Sequence, residues 1–416
     1  MLKLVFLLIL GSCSFFINKI DTAMVSEKDY LKNIPQTPTF CPLVSKPKLQ
    51  LINTEPNSQV LFQNFIEKNP GHDFLDQFAM WTLIQMSLRP DQSSPSSRFQ
   101  LLLRLHTESI YLDFFSEMPN DQYPLLFGLD WVLNKYKKKA SLESYAAILD
   151  LHFPQKLKSG KNLENFLIAN QAKIKDHPVL GGFFIRGTEV LKENERLPKM
   201  SYAEVIKHYR SQVKKQKIIV NNSLTSFTTE YGQKGNCNYD FNLYDNSIFL
   251  IDQTIPSANL FGLATESSAF MASTSQKIEN ILPINGFPLF AGESKVRSSA
   301  VCMIENQENR IWTFSNQSRD PGQHLFHLIR YGLARSKSTP EVDKLIRHSR
   351  HLFLSDPVRL AIESHRSRKD QIEHLLKLNL PIYNAEKLGN IWAYTFFNAQ
   401  GRFIIDDRNP GSYSCK

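Results

Sequence analysis

The chain has 416 residues, of which 42% are apolar and 21% charged, with 17 glycines and 21 prolines. That composition is ordinary for a folded protein and excludes a disordered chain, a collagen-like repeat and a small disulfide scaffold; the length suffices for two or three domains, each with its own core. Lysine and arginine outnumber aspartate and glutamate by 49 to 40, a net charge of +9, which favours anionic partners without choosing among lipid headgroups, envelope polymers and nucleic acid.

Met1-Leu2-Lys3 is a short positive start, and Leu4 to Leu10 is an unbroken apolar run that ends in Gly11-Ser12-Cys13. This is the layout of an export signal. The apolar stretch over residues 4–17 is shorter than the ~20 residues a membrane-spanning helix needs. Leu10-Gly11-Ser12-Cys13 resembles the lipobox of bacterial lipoproteins. The resemblance covers only the first 13 residues. It implies removal of a signal peptide, 1–12, lipidation of Cys13, and anchoring on the periplasmic side of a membrane. Ser14 in place of an aspartate is similar to the outer-membrane pattern. Loss of Lys3 with the signal takes the net charge from +9 to +8. The expected partners are the membrane, through the lipid anchor, and an anionic envelope polymer or another envelope protein; export sets nucleic acid aside.

Residues 13–56 read as a tether, because Pro35, Pro38, Pro42, Pro47 and Pro56 fall close together and proline at that density favours an extended chain. Apart from Cys13, four cysteines remain: Cys41, Cys237, Cys302 and Cys415. An even count in an oxidising compartment fits two disulfides with three possible connectivities. Cys41 lies just before the first folded segment and Cys415 is the penultimate residue. Domain termini are often close in space, which favours Cys41–Cys415 with Cys237–Cys302.

From 57 to 217 the apolar spacing is helical. Segments near 60–68, 73–88, 98–117, 121–139, 141–151 and 162–173 are expected to be helices, as is an amphipathic segment with Tyr202, Val205, Ile206, Tyr209 and Val213 on one face. After Lys217 the texture becomes β-rich. Short strands are expected at 218–220, 226–229, 247–251 and 287–290, with two hairpins, Ala300 to Phe314 and Asn390 to Asp406. Between the hairpins, Asp320-Pro321, Thr339-Pro340 and Asp356-Pro357 signal helix starts near 321, 340 and 357. The expected fold class is therefore α+β: a helical domain over 57–217, then a domain over 218–416 with a mostly antiparallel sheet and packed helices.

Candidate chemistry is sparse. Cys237 with His324 and His327 offers a thiol and imidazoles in the order a Cys/His hydrolase requires, but Asn238-Tyr239-Asp240 is a poor helix start to lower a thiol pKa. His324/His327 and His348/His351 are spaced i,i+3, yet no complete metal-ligand motif occurs, and no metal or cofactor is expected. Residues 330–369 hold ten Lys or Arg against four Asp or Glu. Arg319, Arg330, Arg347, Arg350 and Arg359 are the candidates for clamping an anion. Ser211 to Lys214 fits Ser-x-x-Lys without its companion motifs, Glu363-Ser364 is a bare dipeptide, and Asp406-Asp407 would point to opposite faces of a strand. Every catalytic pattern is incomplete. The sequence leaves open whether the protein is an enzyme. It favours an envelope-anchored, non-catalytic binding or structural lipoprotein, the alternative being a periplasmic hydrolase of cell-wall or lipid material with a Cys/His site.

Overall fold

A computed structural model describes residues 40–41 and 48–415, apart from 56–57, 119–121, 139–140, 154–155, 230–231, 241–257, 285–286, 296–298, 306–308, 356–357 and 409–410. The signal peptide, Cys13 and most of the tether lie outside the described residues, as does the strand expected at 247–251. In chain order the strands are β1 (Gln50–Asn53), β2 (Arg98–Leu105), β3 (Glu108–Phe115), β4 (Ile185–Arg186), β5 (Glu189–Val190), β6 (Ile219–Asn221), β7 (Thr225–Thr228), β8 (Lys234–Cys237), β9 (Asn259–Ala264) and β10 (Ser268–Ser275). They continue as β11 (Lys277–Ile284), β12 (Phe287–Glu293), β13 (Ala300–Glu305), β14 (Arg310–Asn316), β15 (His351–Ser355), β16 (Val358–Ile362), β17 (Ile382–Asn384), β18 (Asn390–Phe397), β19 (Gln400–Ile404) and β20 (Ser412–Cys415).

Two sheets dominate. One has seven strands in the order β20-β1-β9-β10-β2-β3-β6, the other six in the order β19-β18-β14-β13-β8-β7. The two expected hairpins, β13–β14 and β18–β19, lie side by side in the second sheet. Leu102, Met271, Val301, Met303, Trp312, Phe314, Trp392 and Tyr394 share one buried cluster between the sheets. The opposite face of the first sheet packs Leu101, Leu103 and Phe114 against helices Phe74–Leu88, Pro124–Tyr136, Leu142–His152 and Tyr202–Gln212. That of the second packs Cys302, Ile311 and Ile391 against helices Pro321–Arg330 and Thr339–Arg347. The chain thus makes four layers: helices, sheet, sheet, helices. Burying both faces of two sheets removes far more apolar area from water than one half-exposed sheet would.

That layering corrects two expectations. The helix expected over 98–117 is the β2–β3 hairpin, turning at His106 with φ 56°. Phe99, Leu101 and Leu103 face helices while Arg98, Gln100, Leu102 and Arg104 face the other sheet, so both faces are buried and only the central Leu101-Leu102-Leu103 run interrupts the alternation; a short apolar run of that kind is not separated from a buried helix by periodicity. The helix expected from 357 is instead β16, paired with β15 and in parallel with β17, followed by a short helix at Lys369–Leu376. The expected boundary at 217 runs through one sheet, since β2 and β3 pair directly with β10 and β6.

The two ends of the described chain are tied. β1 pairs with β20, Cys41 is bonded to Cys415, and Cys237 to Cys302, the connectivity expected above.

Candidate active site

The head of β13 carries a buried polar network that converges on one backbone position. Ser299 is fully buried, and its Oγ lies 2.6 Å from the Ser273 hydroxyl on the facing sheet. Asn238, which directly follows β8, holds this strand head on both sides. Its Nδ2 donates to the Ser299 carbonyl at 3.1 Å and its Oδ1 accepts from the Val301 N–H at 2.8 Å. Gln100 on β2 donates to the same carbonyl at 3.4 Å and to the Tyr111 hydroxyl at 3.0 Å. Asn238 also donates to Tyr111, at 3.2 Å, and the phenol donates on to Asp113. Asp113 takes a bidentate pair from Arg98, at 2.8 and 2.5 Å, and a third guanidinium N–H reaches the Lys295 carbonyl at 2.6 Å.

This is one connected network from a buried ion pair to a serine. Burial, and then Asp113, push the Tyr111 phenol well above its ordinary value, so it stays protonated and can donate. Tyr111 also lines a cleft of about 500 Å3 with Trp131, Lys135, Val220, Leu224 and Met303, within the size range of small-molecule sites. The cleft sits where β6 leaves the Ser109–Leu112 edge of β3 uncovered, since their pairing begins at Asp113. Sequence reading passed over Ser299 because a lone serine before a strand has no motif; its signal is tertiary.

The residues singled out by sequence go elsewhere. Cys237 is neither a free thiol nor exposed: it is fully buried and bonded to Cys302. A Cys/His site is thereby corrected, because a disulfide sulfur is no nucleophile toward acyl carbon. His324 and His327 lie on helix Pro321–Arg330, on the outer face of the second sheet. His324 Nε2 meets the Ser318 hydroxyl at 2.8 Å, and the His327 and His351 rings lie tilted against each other with centroids 4.1 Å apart. His324, His327, His348 and His351 surround a cavity of only about 10 Å3, room for a single water at most. Burial, followed by the charges of Arg350 and Arg408, holds His324 well below the usual imidazole range, and burial alone takes His351 to about 4. These are neutral packing imidazoles. Among the described residues no group of three or more His, Cys, Asp or Glu is arranged to hold a metal ion.

The anion clamp is corrected too. Arg350 is buried, donating to Asp406 at 2.5 Å and to the Leu388 and Ile346 carbonyls. Arg347 pairs with Asp343 at 2.9 Å. Arg408 grips Glu363 with two bonds, 2.6 and 2.5 Å, and Arg366 pairs with Asp407. Asp406 and Asp407 lie outside the basic window in sequence but inside it in space, so its central charges are internally compensated. Arg359 lies over the Tyr383 ring and Arg330 over Phe326, while Arg319 is exposed on a loop. The five do not form one clamp. Glu363 is an ion-cage anchor after β16, not a helical acid, and Ser211 bonds the His208 carbonyl of its own helix.

Neither a protein-family model nor a curated protein sequence matches this chain. Solved structures do match its fold. LmbA2991HD aligns over 92% of this chain and 100% of that one, with TM-score 0.66 and 8% identity. A second form of LmbA2991 gives TM-score 0.63 at 7% identity over the same shares. Cephalosporin acylase from Bacillus halodurans aligns over 91% of this chain and 98% of its own, with TM-score 0.58 and 8% identity. At such identities the likeness is one of fold. The expectation of a non-catalytic binding module is overturned by that likeness, since nearly the whole chain follows the architecture of a solved acylase.

Proposed function

We propose that this protein is a hydrolase that opens amide bonds by acyl transfer to the hydroxyl of Ser299. The observation that carries the reading is the placement of that hydroxyl: fully buried, at the head of a central strand between two sheets, with its backbone held by Asn238. The fold shared with cephalosporin acylase supports it.

A serine hydroxyl needs a base. Ser299 Oγ has Ser273 as its hydrogen-bonded neighbour, which is too weak a base, and His324 lies on the outer face of the sheet. The base available to this position is the α-amino group of Ser299 itself, freed by cutting the bond to residue 298. In that cut Ser299 Oγ attacks the carbonyl carbon of residue 298, the C–N bond breaks as its nitrogen takes a proton, and water hydrolyses the resulting ester. The amine then accepts the Oγ proton during attack on a substrate amide and returns it to the leaving amine. Asn238 and Gln100 hold the Ser299 carbonyl throughout, and Tyr111, Asp113 and Arg98 hold those two carboxamides.

The test is the reaction of the purified protein with a fluorophosphonate, read by intact mass and peptide mapping. An adduct on Ser299, in a fragment that begins at Ser299, is expected, with both the cut and the adduct absent from Ser299→Ala. An adduct on another residue, or an unmodified intact chain, would sink the assignment.

We further infer that the protein is exported and held on a membrane through lipidated Cys13, on the periplasmic side and in the outer membrane. The signal at residues 1–13 and two disulfides support this. Cys13→Ala is expected to move the protein from membrane to soluble fractions; full membrane retention would reject the anchor.

A further inference from the structure

The sheet row that starts at Ser299 runs on into two asparagines with unsatisfied side chains. Ala300 pairs with Ser315, which places Asn316 across from Ser299, and Asn316 pairs in turn with Asn390. Phe314 and Trp392, two residues along each strand, lie in the core between the sheets. Strand alternation therefore points Asn316 and Asn390 to that same inner face, beside Ser299. Both are fully buried, and among the described residues neither the Nδ2 nor the Oδ1 of either carboxamide has a hydrogen-bond partner; the Trp392 indole N–H on the same face has none there either.

Buried polar groups are almost always paired, and a cluster of unpaired ones at one spot requires an explanation. Adjacent strands are ~4.8 Å apart, so the strip extends one and two strand spacings away from the Ser299 hydroxyl. It is also uncharged. A carboxylate or phosphate would enter it without a counter-ion, at a large desolvation cost. A neutral amide, which brings one donor and one acceptor, satisfies a carboxamide on each side.

We infer that Asn316 and Asn390 form the subsite that receives an uncharged amide of the substrate, next to the bond Ser299 attacks. The substrate class is then a neutral diamide, such as an internal stretch of peptide or an acylated amino-acid amide, without a free carboxylate at that position. This rests on the acyl-transfer reading of Ser299.

The test compares three fluorophosphonates of equal length on the processed protein: an alkyl chain, one with an internal secondary amide, and one with a carboxylate. The amide probe is expected to modify Ser299 at least ~10-fold faster than the alkyl probe, the factor expected for one well-made hydrogen bond, and faster than the carboxylate probe. Asn316→Leu and Asn390→Leu should remove that preference, so that the amide and alkyl probes react at equal rates. Equal rates for amide and alkyl probes in the unsubstituted protein, or a preference for the carboxylate, would overturn the subsite while leaving Ser299 in place. If no probe reacts, the reading of Ser299 fails, and the strip is judged separately by melting with N-acetylglycinamide. A rise in Tm lost in both asparagine variants supports it, and no rise overturns it.

Discussion

Asn238 and Val301 exchange two hydrogen bonds that no sheet ladder supplies: the Asn238 N–H donates to the Val301 carbonyl at 3.0 Å, and the Asn238 side-chain oxygen accepts from the Val301 N–H at 2.8 Å. With its amide nitrogen on the Ser299 carbonyl, this one side chain sets the position of the strand head. Asn238→Ala leaves a buried donor and a buried acceptor short of partners, which costs roughly 2–4 kcal/mol. Asn238→Asp keeps the bond from Val301 but turns a carboxylate toward the Ser299 carbonyl. Both are expected to lose fluorophosphonate labelling of Ser299, and the aspartate variant to lose stability as pH rises. Unchanged labelling in Asn238→Ala would show that the strand head is held by other means.

The Cys41–Cys415 bond closes a loop spanning 374 residues and reinforces the β1–β20 ladder, where Gln50 pairs with Cys415. Cys41→Ser with Cys415→Ser should lower unfolding free energy by about 2–5 kcal/mol, read as a shift in urea midpoint. A midpoint within error of the unsubstituted protein would mean that the ladder alone secures the termini.

The histidine cluster predicts acid sensitivity. Burial, aided by neighbouring imidazoles and by Arg350, Arg408 and Lys344, lowers His324, His327 and His348, and burial lowers His351 to about 4. An unfolded histidine titrates near ~6.5. Between these values the unfolded chain binds the extra protons, so this contribution is whole above pH ~6.5 and is lost as pH falls toward 4. For His351 alone the loss is on the order of 2–3 kcal/mol. His351→Gln should flatten the fall in urea midpoint between pH 7 and pH 4.5 (assay values, on the order of the pKa window above). An unchanged slope would place the acid sensitivity elsewhere.

Glu55 behaves in the opposite sense. It is fully buried with one carboxylate oxygen unpartnered, and burial raises its pKa to about 7 despite Arg89 at 3.3 Å. The folded chain binds its proton more tightly, so stability falls as pH rises from ~4.5 to 7. Arg89 keeps Asp91 as a partner at 2.7 Å. Glu55→Gln should therefore raise Tm at pH 8 and leave it nearly unchanged at pH 4.5 (assay values, roughly one unit above and well below the shifted pKa). A lower Tm at pH 8 would show that Glu55 is ionised and needed by Arg89.

Much of the secondary structure was legible in the sequence where the signal is local. Helix Tyr202–Gln212 buries Tyr202, Val205, Ile206 and Tyr209 as its spacing requires, and Asp320 caps helix Pro321–Arg330 by accepting from the Gln323 N–H. Both late hairpins form where β-rich runs flank polar turn residues. Both errors fall on short strands whose conformation depends on what covers them: β2 is buried on both faces, and β16 is buried over Leu360 to Ile362.

The site was not legible. By itself the sequence determined a mixed α+β chain, four cysteines besides Cys13 whose termini-first pairing holds, and the helix caps, all of them set by neighbours a few residues apart or by chain ends. Tertiary structure decided that the basic window is neutralised by Asp406 and Asp407, that Cys237 is a bridge, and that Ser299 meets Ser273, Asn238 and Gln100. Those contacts join residues 26 to 199 positions apart, and hydrogen bonds across such distances depend on sheet order and register, which no local pattern encodes.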